Sequence, residues 1–194
     1  PIYNLLELEA NLSVYVVNTQ HIKQVPGRKT DVKDAEWIAE LLKHGLLKPS
    51  FIPNREQREL RELVRYRRSL IDERFREANR IQKVLEGANI KLGSVATDVL
   101  GVSGRLILRD LIRGNTNAKV LAQHSKGNLR KKLPLLERSL DGLVGPHQRK
   151  MLKTQLDHIE FLEKQIEDLS KEIDARMAPF EEDIVLLDSI PGIG

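Results

Sequence analysis

Asp31 and Asp34 stand three residues apart in the run Lys29-Thr30-Asp31-Val32-Lys33-Asp34-Ala35. At the start of a helix that spacing puts both carboxylates on one face. Two carboxylates so placed can share a hard divalent cation such as Mg²⁺, with further oxygen ligands coming from neighbouring strands. Acids in a first helical turn also favour the helix dipole, which gives both residues an ordinary structural reason to be there. Spacing alone leaves the two readings open.

A second group of residues is basic. Between Arg55 and Lys83 the chain carries Arg58, Arg61, Arg65, Arg67, Arg68, Arg74, Arg76 and Arg80. The guanidinium fork suits phosphate, so a helix loaded this way can follow a nucleic-acid backbone. Glu56, Glu59, Glu62, Asp72, Glu73 and Glu77 are interleaved with them and equally suit a salt-bridged, solvated helix. Lys126, Arg130, Lys131 and Lys132 form another basic cluster, suited either to a phosphate backbone or to solubility. The end, Leu187-Asp188-Ser189-Ile190-Pro191-Gly192-Ile193-Gly194, resembles the first helix end and hairpin of a helix-hairpin-helix motif. In that motif glycine amides such as those of Gly192 and Gly194 approach a DNA phosphate closely. The five histidines show no zinc-ligand spacing, and His158, on a long helix, is expected at the surface.

These residues need elements to hold them. Residues 2–9 suggest a helix end, and 12–18 carry the β-branched and aromatic density of a buried strand. Residues 21–29 make a basic loop, after which Thr30 can cap a helix from Asp31 to about His44, closed by a left-handed Gly45. Asn54 can cap a long helix running to about Glu86, with Leu60, Leu63, Val64, Leu70, Ile71, Ala78, Ile81, Val84 and Leu85 on its apolar stripe. Arg67 and Arg74 fall in line with that stripe, so it is not all core. Short helices over 104–113, 117–123 and 134–143 form a compact tip. From Pro146 a second long helix reaches about Met177, its Leu152, Leu156, Ile159, Leu162, Ile166, Leu169 and Ile173 forming a coiled-coil seam. The two long helices can zip together antiparallel or pair with another subunit.

The 194 residues are 40% hydrophobic, 31% charged and only 4% aromatic, a balance that favours long exposed helices over sandwiches or barrels. A net charge of +4 permits nucleic-acid binding without requiring it. The absence of cysteine excludes disulfide frameworks, thiolate metal sites and Cys nucleophiles, and suits a cytoplasmic location. Nothing approaches the roughly twenty apolar residues of a membrane span. Starting at Pro1 and stopping at Gly194 inside a turn, the chain reads as a fragment.

Three segments carry a family resemblance: the run from Val25 to Ala39, the stretch from Leu60 through Asn89, and the terminal Ser189 to Gly194. In this order they resemble the DEDD-type transposases of the IS-one-ten insertion-sequence family. The resemblance implies a RuvC-like, ribonuclease-H-like α/β domain whose four acids bind divalent metal, with Asp31 and Asp34 matching the third and fourth. It places the first two acids before Pro1, and a serine nucleophile in a C-terminal domain beyond Gly194. It implies DNA cleavage and rejoining guided by a structured non-coding RNA, with Mg²⁺ as cofactor and DNA, guide RNA and further subunits as partners.

The expected fold is therefore mainly α. A nuclease-domain remnant would occupy residues 1–48, a helical coiled-coil region with a tip 54–178, and the start of the C-terminal transposase domain 180–194. Such a fragment is not expected to catalyse alone. The competing reading is a non-catalytic coiled-coil scaffold or nucleic-acid-binding protein.

Overall fold

The computed structural model describes residues 2–9, 11–20 and 31–192. These are mainly helical, and the chain divides into two compact units, Pro1–Arg58 and Glu59–Gly194.

The first unit holds α1 (Ile2–Leu6), α2 (Asp31–Lys43) and the start of α3 (Arg55–Gly87). Helix α2 closes on Gly45, whose φ of +67° lets the chain reverse. Gly45 N–H donates to the Leu42 carbonyl at 3.0 Å and Leu46 N–H to the Leu41 carbonyl at 2.9 Å, so two otherwise unpaired carbonyls are satisfied. Thr30, the expected cap of α2, and the basic loop at 21–29 lie outside the described residues. Asn54 does cap α3: its Oδ1 accepts from Gln57 N–H at 2.9 Å.

The buried strand expected at 12–18 is not formed. Only Val17 pairs, in a single antiparallel bridge to Pro49 beside a 2.7 Å bond from Ser50 N–H to the Val16 carbonyl. Proline has no N–H to continue a ladder, and Leu12, Tyr15 and Val16 remain exposed. Without neighbouring strands this sequence has nothing against which to bury its alternating face. No strand, and so no α/β layer, exists among the described residues.

The second unit is organised by two long helices. Helix α3 ends where Asn89 takes a left-handed φ of +60° and Ile90 N–H returns to the Leu85 carbonyl at 2.8 Å. After a 3-10 turn at Leu92–Ser94 come α4 (Val102–Arg113) and α5 (Ala118–Ala122). A second 3-10 segment, Gly127–Lys132, leads into α6 (Leu133–Ser139), and α7 (Pro146–Met177) then runs back along α3. Side chains fix that return as antiparallel within the chain. Arg176 reaches Glu59 at 3.4 Å, Arg67 Nε donates to Ser170 Oγ at 2.7 Å, and Arg74 Nε donates to Glu163 Oε1 at 2.8 Å. A last 3-10 turn, Ala178–Phe180, precedes α8 (Glu181–Asp188).

The core lies at the tip end. Ile81 and Leu85 of α3, Ile107, Leu108 and Leu111 of α4, Leu121 of α5, Leu136 of α6, and Leu152 and Ile159 of α7 are all essentially inaccessible. Burying each such side chain contributes about 2 kcal/mol before entropy is counted. Further along α7 the seam loosens, with Leu162 and Ile173 buried but Ile166 and Leu169 only half-buried. The tip helices run slightly differently from the spacing prediction. The third stops at Ser139, because the chain must turn through Gly142, where a Cβ would stand 2.3 Å from the Ala88 carbonyl oxygen.

Arg105 of α4 ties the layers together. Its Nε donates to the Leu100 carbonyl at 2.6 Å, and its Nη2 donates at 2.6 Å to Glu163, which also takes Arg74. One carboxylate thus joins α3, α4 and α7 through charge-assisted bonds.

Two predictions concern this unit. A Cβ on Gly104 would lie 2.0 Å from the Val99 carbonyl oxygen. Gly104→Ala is therefore expected to lose about 2 kcal/mol or more in urea unfolding, although alanine inside a helix ordinarily gains up to about 1 kcal/mol over glycine. The second concerns Asp110, which lies 3.0 Å from His124 Nε2 and accepts from Asn115 Nδ2 at 2.9 Å. The hydrogen bond to His124, then that to Asn115, holds its carboxyl below the usual range. A carboxylate depressed in the folded state contributes stability above its unfolded value, about pH 4, and loses it as pH falls through the lower folded value. Asp110→Asn should therefore be less stable at pH 7 and lose less on acidification below about pH 4, as read by thermal melts across a pH series.

Candidate nucleic-acid interface

Asp31 opens α2 and Asp34 lies in its first turn, with the Asp34 side chain exposed; the Asp31 side chain lies outside the described residues. Among the described residues no three His, Cys, Asp or Glu side chains come together. Mg²⁺ takes six oxygens in near-octahedral geometry. Two carboxylates on one helix do not complete that set, so the described residues do not by themselves fit a divalent metal.

The basic residues separate into two kinds. Arg58 is used inside the first unit. It forms an ion pair with Glu7, donates from Nη1 to the Pro53 carbonyl at 2.7 Å and lies 5.1 Å over the Tyr3 ring, its side chain only 18% exposed. Arg61, Arg65 and Arg68 are exposed. Arg61, Arg65 and Arg68 step by four and three, and Arg76 and Lys83 follow eight and seven residues further on, about two turns each, so the five form one stripe on the side of α3 opposite the buried Leu70, Glu77 and Ile81. From Arg61 to Lys83 the stripe is about 33 Å long at 1.5 Å per residue. Asp72 is the one acid in it, 3.3 Å from Arg68 and accepting from Arg76 Nε through its carbonyl at 3.3 Å.

Three of the six acids interleaved in the sequence have turned toward α7. Glu59 pairs with Arg176, while Glu73 and Glu77 approach His158 at 3.6 and 3.2 Å. His158 is thus not a plain surface residue: it is half-buried between two carboxylates, because α7 turns that position toward α3. Glu77 is buried and also accepts from Arg80 Nη1 at 2.7 Å. Charges that alternate along the chain are sorted by the helix period into a basic outer stripe and acids facing α7.

Lys126, Arg130, Lys131 and Lys132 are exposed around the 3-10 segment at the tip. The segment is tied to α4 by a 2.9 Å bond from Lys126 N–H to Ser103 Oγ. At the other end of the chain α8 stops at Asp188, and Gly192 takes a left-handed φ of +91° in the turn that follows. Gly192 is exposed, and Gly194 lies outside the described residues.

The model of the IS110 (IS-one-ten) DEDD transposase family matches residues 1–90, a stretch that includes Asp31, Asp34 and the whole basic stripe. Over that stretch the chain is similar to this transposase family. No curated protein and no solved structure matches the chain. Transposases of this family act on DNA and use divalent metal, which gives both the stripe and the acidic pair a chemical context.

Sequence reasoning named Arg76 among eight arginines between Arg55 and Lys83, and did not separate Arg61, Arg65, Arg68, Arg76 and Lys83 as an outer stripe from Arg58, Arg67, Arg74 and Arg80. Projecting these positions onto the 3.6-residue helix period would have set Arg67 and Arg74 apart from the stripe, though not Arg58. Nothing in the sequence signalled that Glu7, Pro53 and Tyr3 would claim Arg58. The expected consequence is a split between variants in nucleic-acid binding across a salt series. Arg61→Ala with Arg65→Ala should flatten the plot of log affinity against log salt by about one unit for each phosphate that is no longer neutralised. Arg58→Ala should leave that slope unchanged and instead loosen the first unit, read as faster amide exchange in α1.

Proposed function

We propose that this chain is part of a DNA transposase that cleaves and rejoins strands, its arm gripping nucleic acid while its N-terminal acids serve a metal-dependent active site. The observation that carries the reading is that the family match over residues 1–90 contains both the Asp31, Asp34 pair and the basic stripe. On this reading Asp31 and Asp34 contribute two of four carboxylates that hold Mg²⁺. The other two, like the serine nucleophile, belong to parts of the transposase outside this sequence. The metal would stabilise charge on phosphate oxygens during strand cleavage.

Arg61, Arg65 and Arg68 supply a sequence-independent hold on phosphates, and Lys126, Arg130, Lys131 and Lys132 a second one at the tip. The amides around Gly192 and Gly194 supply a third. The bound nucleic acid comprises the DNA ends and a structured guide RNA. We further propose that copies associate along the loosened part of the α3 and α7 pair as a coiled coil, and that the protein works in the cytoplasm.

The acidic pair is tested in the intact transposase. Asp31→Asn and Asp34→Asn should each lower recombination between donor and target plasmids by more than about 100-fold, the scale of losing a metal ligand. Circular dichroism should be unchanged, because a first-turn acid exchanged for an amide costs the helix little. Normal recombination in either variant would remove that residue from the metal site.

A further inference from the structure

A groove of about 430 Å³ opens between α3 and α7 next to the tip; it includes neither residue of the acidic pair and shares only Lys83 with the outer stripe. Its apolar lining includes the buried Val84 and the exposed Met151. Gly87 leaves it open: it brings no side chain, and a Cβ there would sit 3.9 Å from Gln148 Nε2, in ordinary contact. Two amides face the space. Gln148 accepts from Gly145 N–H through Oε1 at 2.8 Å, which leaves its Nε2 as the end toward Gly87 and the groove. Gln155 Oε1 is buried without a hydrogen-bond partner among the described residues. Gln155 turned end for end offers either a donor or an acceptor, whereas Gln148 presents its Nε2 donor. Three bases edge the opening: Lys83 and His147, both exposed, and Arg80, which spends Nη1 on Glu77.

The occupant that matches an apolar slot, two amides and a basic rim is flat, partly apolar, polar along one edge and anionic at its tail. We propose that the groove holds a single unstacked nucleotide, its base lying against Met151 and Val84, its edge read by Gln148 and Gln155, and its phosphate held by Lys83, Arg80 and His147. Unpaired bases are recognised in this manner, by stacking on soft or planar side chains with hydrogen bonds along the exposed edge. Charge continuity supports a nucleic acid over any other anion, because Lys83 is both the rim of the groove and the end of the basic stripe on α3. A base held in a duplex stack cannot enter. The groove therefore selects a bulge, loop or frayed end, while the stripe accepts any phosphate backbone. This inference rests on the nucleic-acid reading proposed above.

The test compares the whole chain binding three duplexes by fluorescence anisotropy: fully paired, carrying one bulged nucleotide, and carrying one abasic bulge. Each is made in DNA and in RNA, which separates the two sources of an unpaired nucleotide. The bulged duplex of at least one sugar type should bind about fivefold more tightly than the paired one, the low end for stacking one base, and the abasic bulge should lose that gain. Gly87→Leu fills the slot and should abolish the preference while binding paired duplex as the parent does. Met151→Glu, at an exposed position, should do the same and carries the test if the first variant melts early. Equal, salt-dependent binding of all three duplexes in both sugar types would overturn the groove assignment and leave the nucleic-acid reading standing. No binding of any duplex at low salt would overturn both.

Discussion

Neither α3 nor α7 can be stable by itself. Each runs for more than thirty residues with charges around most of its circumference, and such helices depend on burying one stripe against a partner. The tip supplies the anchor. Ile81 and Leu85 near the end of α3, and Leu152 and Ile159 near the start of α7, are buried in the same cluster as α4, α5 and α6. That cluster turns the chain around and delivers α7 antiparallel onto α3. Away from it, contact between the two helices passes to polar pairs such as Arg67 with Ser170 and Arg176 with Glu59. An exposed pair such as Arg176 with Glu59 is worth about 0–1 kcal/mol, so it sets register more than it adds stability.

That register determines the electrostatics. Once one side of α3 is committed to α7, the helix period decides which charges face inward and which face out. Glu59 meets Arg176 and Glu73 and Glu77 meet His158, both from α7, and the opposite side is left with Arg61, Arg65, Arg68, Arg76 and Lys83. A chain with only a small positive net charge therefore presents a strongly basic surface in one direction. Charge separation of this kind, more than net charge, draws in a polyanion.

Much of this could be read from the sequence. The caps at Asn54 and Gly45, the Pro146 start of α7 and the long uninterrupted run after Arg55 located the main helices within a few residues, because these signals act on the backbone nearest to them. The alignment of Arg67 and Arg74 with the apolar stripe correctly marked places where α3 meets α7 through polar atoms. The strand expected at 12–18 failed for a reason no local signal can carry: a strand exists only if other strands pair with it. The roles of Arg58 and His158 were missed for a similar reason, since Glu7 is fifty-one residues from Arg58 and Glu77 eighty-one from His158.

The sequence by itself determined where the helices begin and end, the family its first ninety residues resemble, and which residue types are available for phosphate and metal. The tertiary structure decided whether the long helices pair within the chain, which arginines remain free to act, and where Gln148, Gln155 and Met151 meet α3 to shape a groove. The division has a physical cause. Capping, propensity and periodicity act over one or two turns and are written locally, whereas burial and charge pairing depend on which distant segment arrives, and that is known only once the tip has turned the chain back on itself.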